Sequence, residues 1–206
     1  MNVDSIITTL LMLPGIIIAL SFHEFAHAWV SDKLGDPTPR RQGRVTLNPM
    51  AHIDWIGFLT LVLVHFGWGK PVQIDPSYYK NRRSGEFLVG IAGVTMNLIL
   101  AVIFSIPARL LAPAVYTAGA SELMTNIYLM IVYTVSINLV LMIFNLIPCP
   151  PLDGWGIVTQ IFRLDRYRWW YKVYQYGTWI LLILIFSRAT SMIISPLVTA
   201  LMRILL

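Results

Sequence analysis

The chain has 206 residues, 57% hydrophobic and only 12% charged, with a mean hydropathy of +0.69. Soluble domains carry about 25% charged residues, so this composition excludes an ordinary soluble domain and indicates one compact polytopic membrane bundle. The net charge of +5 does not argue for nucleic acid, because the basic residues lie in loops between apolar segments, where they set topology.

The first apolar segment spans residues 5–30. Leu10 to Leu20 resembles a signal-peptide core and Ala26-His27-Ala28 a cleavage site, but the preceding residues carry Asp4 and no Lys or Arg. The segment reads instead as a retained transmembrane helix, long enough to cross with some tilt. Ser31 to Asn48 is a polar, basic connection with strand-like pieces such as Arg44-Val45-Thr46-Leu47. Ile53 to Gly67 is apolar but short for a span, which suits a re-entrant or tucked segment, and Gly67-Trp68-Gly69-Lys70-Pro71-Val72 follows. Residues 86–111 and 126–147 read as two long helices, the first ended by Ala112-Pro113 and the second by Pro148-Cys149-Pro150-Pro151. Trp169, Trp170, Tyr171 and Tyr174 then form an interfacial aromatic group, and residues 173–206 are one kinked helix or two short ones.

The expected fold is therefore an all-α polytopic membrane protein, a single integral-membrane domain over 1–206 with its core in 5–155. A three-helix core (about 5–30, 86–111 and 126–147) carries a re-entrant or β-like insertion at about 40–75, and one or two further membrane helices follow in 173–206. Residues 31–85 hold eight basic residues and 148–172 four, twelve of the fifteen in the chain. With both regions cytoplasmic, the first helix runs inward, the second outward and the third inward again. Ile53 to Gly67 then cannot make a single crossing, and the inner ends of the first and third helices share one side of the membrane.

His23-Glu24-Phe25-Ala26-His27 places three ionisable groups within the first apolar helix. Such groups cost roughly 3 kcal/mol or more each at membrane depth, which calls for a function. His23 and His27, at i and i+4, project from one helix face and can bind one metal ion, while Glu24 can take a proton from a water that the metal acidifies. A catalytic zinc needs a third protein ligand. Asp153, in Pro148-Cys149-Pro150-Pro151-Leu152-Asp153-Gly154, is the candidate, at the depth assigned to the histidines; the competing reading is an Asp-Gly turn after prolines.

Taken together, His23-Glu24-Phe25-Ala26-His27 and Leu152-Asp153-Gly154 resemble the site-2 protease family of intramembrane zinc metalloproteases, especially its compact bacterial members without a PDZ domain. The resemblance covers most of residues 20–155, including Gly43 to Pro49, His52-Ile53-Asp54, Gly67 to Val72, Gly93-Val94-Thr95-Met96-Asn97 and Asn145 to Gly154. Val94 and Trp55 stand where the family commonly has proline. The resemblance implies one zinc ion on His23, His27 and Asp153, with Glu24 as general base. It also implies a role for Asn97 in stabilising the oxyanion or positioning the peptide; an interhelical hydrogen bond is the alternative. His52 is a second oxyanion candidate or a loop histidine bonding the backbone. Gly69, Lys70, Pro71 and Val72 are expected to pair with an unwound substrate as an added strand.

Asn138 and Asn145 read as helix-packing residues, with Asn145 the nearer to the site, and His65 and Cys149 as structural. The implied partners are a transmembrane protein substrate, a regulatory membrane protein and the lipid bilayer, without nucleic acid. The implied location is a bacterial cell membrane with the site toward the cytoplasm. The rival functions are a membrane metal-ion transporter, which leaves Glu24 unexplained, and a non-catalytic scaffold, which leaves the intact motif unexplained. The segment after Val173 is the candidate gate.

Overall fold

The computed structural model describes residues 3–64, 67–116 and 119–206. Among the described residues three helices are long and apolar enough to cross a membrane, α1 (Val3–Lys33), α4 (Arg82–Val115) and α5 (Glu122–Leu146), and a bent pair of helices near the C-terminus together meets the same measure. Lipid tails are as apolar as leucine, so such helices associate through close packing of small residues. Ala19, Ala26 and Ala28 of α1 and Ala101 and Ala108 of α4 are all buried. Gly15 of α1 lies so near α5 that a β-carbon there would fall 2.9 Å from Thr134 Cα. The core continues through Val94 and Ala101 of α4 and Val135, Leu139, Met142 and Ile143 of α5.

Helix ends depart from the sequence expectation by up to four residues, about one turn. Ser121 Oγ accepts the Met124 N–H at 3.2 Å, so α5 starts at Glu122 rather than 126. Asn81 Oδ1 accepts the Ser84 N–H at 3.1 Å and starts α4 at Arg82. Pro113, expected to end that helix, lies inside it with Pro107, as membrane helices allow.

Between α1 and α4 the chain forms two short helices, α2 (Thr38–Arg41) and α3 (Trp55–Val64). Ten residues rise about 15 Å, too short to cross, so α3 fits a tucked segment. It packs on the chain that follows: a β-carbon at Gly57 would meet Trp68 O at 2.2 Å. His65 lies outside the described residues. The β-like character reduces to one antiparallel bridge, Ile53 to Gly69, with the Lys70 N–H donating to His52 O at 2.8 Å; no longer strand occurs among the described residues.

After α5 the chain turns and opens a separate short helix, α6 (Asp153–Phe162), so Asp153 begins its own element rather than trailing the third long helix. The C-terminal region is two helices, α7 (Arg168–Phe186) and α8 (Ala189–Leu205), bent by 69° at Ser187-Arg188. Ile194, Val198 and Leu201 of α8 pack on the core, and Arg109 of α4 donates to Leu205 O at 2.6 Å. Among the residues of α7, only Gly177 and Leu181 are buried.

Candidate metal centre

One turn of α1 separates His23 from His27, and both rings are buried, 6% and 9% exposed. They fit because α4 offers glycine opposite them. A β-carbon on Gly93 would fall 2.4 Å from His27 Nε2 and 2.5 Å from His23 Cε1.

Hydrogen bonds behind the rings set their tautomers. His27 Nδ1 donates to the Val89 carbonyl at 2.7 Å, an acceptor only, so Nε2 keeps its lone pair. His23 Nδ1 lies 2.6 Å from Asn97 Oδ1. Asn97 Nδ2 donates to Ala19 O at 3.3 Å and to Asn138 Oδ1 at 2.9 Å, which fixes Oδ1 as the acceptor from His23. Asn138 Nδ2 in turn donates to Thr134 O at 2.8 Å. Three helices thus hold one imidazole through two buried asparagines.

The freed Nε2 atoms are 3.1 Å apart, and each lies 3.3 Å from Asp153 Oδ2. Four-coordinate zinc with bonds of about 2.0–2.1 Å separates neighbouring ligands by roughly 3.3 Å, so this triangle has the size of one tetrahedral face. Asp153 Oδ2 is buried without a hydrogen-bond partner, a costly state that a cation relieves. Two neutral imidazoles and one carboxylate form a donor set that fits zinc, and among the described residues they are the one such cluster.

Glu24 stands beside the triangle and outside it. Its Oε2 accepts the Val72 N–H at 3.0 Å and lies 4.0 Å from Arg44 Nη2, while Oε1 has no hydrogen bond among the described residues. Arg44 is 3% exposed and donates to the carbonyls of Ala51 and Lys70. The sequence assigns it no role, since a loop arginine in a basic stretch reads as topology. Arg44 and the His52 carbonyl together tie the Lys70 backbone down, and Val72 is tied to Glu24. A second anchor, Asp36, is fully buried; it accepts the Asp75 N–H at 2.8 Å, the Thr38 N–H at 2.9 Å and the Ser31 hydroxyl at 2.8 Å. Burial alone would raise the Asp36 pKa, but these donors lower it below the ordinary carboxylate value.

His52 lies beneath this segment, fully buried, with Nε2 donating to Thr46 O at 2.7 Å. This is the backbone bond that one of the two sequence readings expects. Burial pulls its pKa below the ordinary value, against the Thr46 carbonyl, so the ring is neutral at pH 7. Asn97 has both amide atoms engaged behind His23 and is fully buried. Neither side chain lines the open cleft of about 520 Å³ over the triangle. That cleft is walled by Glu24, Pro71, Val72, Asn145, Trp155 and Tyr174, together with the three metal-site residues. Gly69 and Lys70 lie just behind its rim. Tyr174 brings α7 to the cleft, where Trp170 stacks on Trp155 and on Tyr174.

The sequence profile described as Peptidase family M50 matches residues 107–186, a stretch that holds Asp153 and neither histidine. YwhC of Bacillus subtilis (strain 168), by name a candidate zinc metalloprotease, is 34% identical over 186 residues, 90% of this chain and 84% of YwhC. Rip2 of Mycolicibacterium smegmatis, named likewise, is 26% identical over 189 residues, 87% of this chain and 68% of its own. Rip2 of Mycobacterium tuberculosis (strain H37Rv) is 26% identical over 164 residues, 77% of this chain and 60% of its own. No solved structure matches the chain.

Proposed function

Given that this chain belongs to peptidase family M50 and is a zinc metalloprotease of the membrane, we propose that it hydrolyses peptide bonds within or beside membrane-spanning segments of protein substrates, at the cytoplasmic side of a bacterial cell membrane. The observation that carries this reading is the triangle of His23, His27 and Asp153 donors with a carboxylate beside it.

A zinc ion on these residues supplies Lewis-acid polarisation of a carbonyl and acidifies a water. The protein's own part follows from the geometry. Val89 and Asn97 hold the imidazoles in the tautomer that presents Nε2. Val72 and Arg44 hold Glu24 Oε2, which leaves Oε1 to take the proton of the attacking water and pass it to the amine as the C–N bond breaks. Asn97 and His52 are positioning residues on this reading, the first for His23 and the second for the segment through Lys70.

That segment is the proposed seat of the substrate backbone. Alternate residues of an extended chain face opposite sides. Lys70 and Val72 spend their N–H groups inward, so Gly69, Pro71 and Gln73 face outward, where an unwound substrate pairs as an added strand. Topology supports the cytoplasmic placement, since the loops at this end hold most of the basic residues.

The experiment is Glu24→Gln in purified protein, with zinc content and cleavage of membrane-anchored test substrates measured in parallel. Retained zinc with cleavage lowered by at least a hundredfold is expected; cleavage within a few-fold of the parent removes Glu24 as the base. A metal transporter would need a second ligand cluster along a path, and none occurs among the described residues.

A further inference from the structure

Away from the metal centre, a second concavity of about 420 Å³ opens where α4 begins, α6 ends and α7 begins. Arg82, Arg83, Arg163 and Arg166 line it, facing two carboxylates, Glu86 and Asp165. Two of the arginines are engaged. Arg82 Nε donates to Glu86 Oε1 at 2.6 Å, and Arg83 donates to Gln160 O at 2.6 Å and Ile161 O at 3.0 Å, closing the last turn of α6. The side chains of Arg163 and Arg166 have no hydrogen bond or ion pair among the described residues, so two positive charges stay uncompensated in a concave site.

Three observations point to what would occupy it. Arg163 stands at φ 55°, ψ 44°, the left-handed position after a helix that glycine or asparagine usually fills, so a long cation is kept where the backbone disfavours it. α7 begins without a side-chain cap, so its first N–H groups and the positive end of its dipole are unmatched, and its third residue, Trp170, lines the concavity. Trp170 lines the concavity, donates Nε1 to Thr159 Oγ1 at 3.0 Å, and belongs with Tyr167 and Trp169 to an aromatic group of the kind that sits at headgroup level.

We propose that this concavity binds the phosphate of an anionic phospholipid from the leaflet around this end of the bundle. The headgroup joins the first turn of α4 to the joint between α6 and α7, through Arg163 and Arg166. Because α6 starts at Asp153, and Glu86 accepts from Gln160 near its far end, the lipid braces the helix that brings the third metal-site residue. Binding itself is independent of protease activity, so its test stands whether or not the proposed reaction does.

The test is native mass spectrometry of the purified full chain with phosphatidylglycerol or phosphatidylcholine, followed by titration with inorganic phosphate. Phosphatidylglycerol is expected to be retained in preference to phosphatidylcholine, and the double variant Arg163→Gln/Arg166→Gln is expected to weaken it roughly 25-fold, about fivefold for each arginine. Arg41→Gln/Lys80→Gln removes the same charge from the same end of the bundle and is expected to weaken it less than threefold. Size-exclusion elution and helical circular dichroism report that each variant is folded. Equal losses in the two double variants would mean diffuse surface attraction and overturn the site. Displacement of the lipid by millimolar inorganic phosphate would make it a free-phosphate site and overturn the lipid assignment.

Discussion

Gly93→Ala tests whether α4, which offers no metal donor, sets the metal centre. The added methyl group would sit 2.4 Å from His27 Nε2 and 2.5 Å from His23 Cε1, where ordinary contact begins near 3.4 Å, so the rings must withdraw by about 1 Å. They have nowhere to go without giving up Val89 O and Asn97 Oδ1, which hold them at 2.7 Å and 2.6 Å. Metal sites tolerate ligand shifts of about 0.2 Å, and losing a supporting contact alone costs roughly 10- to 100-fold in affinity. Zinc affinity is therefore expected to fall by at least about a hundredfold, with about 1–3 kcal/mol of overpacking added to the folded state. Gly90→Ala is the matched control on the same helix, because its β-carbon would meet Ile157 Cγ1 at 3.4 Å, an ordinary contact. Dialysis of both variants against graded zinc buffers, with metal analysis of the protein, gives the two affinities. If Gly93→Ala holds zinc within threefold of Gly90→Ala, the packing argument is refuted.

Asn97→Ala removes the acceptor that orients His23 and leaves Asn138 Oδ1 without its donor; zinc affinity is expected to drop 10- to 100-fold by the same assay. Gln73→Pro deletes an outward N–H while leaving the inward bonds of Lys70 and Val72 intact, and is expected to raise KM for a membrane-anchored substrate severalfold at unchanged zinc content. Asp36 has a lowered pKa, so its contribution is complete above the ordinary carboxylate value near 3.9 and disappears as pH falls through its lower folded value. Hydrogen exchange across residues 70–76, corrected for intrinsic rates, should rise below about pH 4 in the parent, while Asp36→Asn is already loosened at pH 7 and shows no further acid step.

What the sequence shows and what it hides divide along the range of the interactions. His23, Glu24 and His27 are legible because helical spacing alone puts two of them on one face, and the long apolar runs mark α1, α4 and α5 because membrane thickness sets their length. Asp153 is legible as a donor but not as the start of α6, since the preceding prolines signal only that α5 has ended. The part played by Arg44 is invisible because its partners, Ala51 and Lys70, are carbonyls of other loop segments that any sequence offers. Asn97 reads as a polar residue in a membrane helix; which way its amide points depends on Asn138, on a different helix. Ser187-Arg188 is legible as a polar interruption of the apolar run over 173–206, whereas the 69° bend there and the left-handed backbone of Arg188 are not.

The separation of the metal-site residues along the chain also bears on biosynthesis. A ribosome delivers the N-terminal part first. His23 and His27 therefore enter the membrane long before Asp153, and through that interval the protein holds only two of its three donors. An enzyme assembled beside the nascent helices of other proteins stays chemically silent until α6 swings its first residue into place. Completion of the fold is in this sense the first control on its activity, exercised once per molecule and before any regulator is needed.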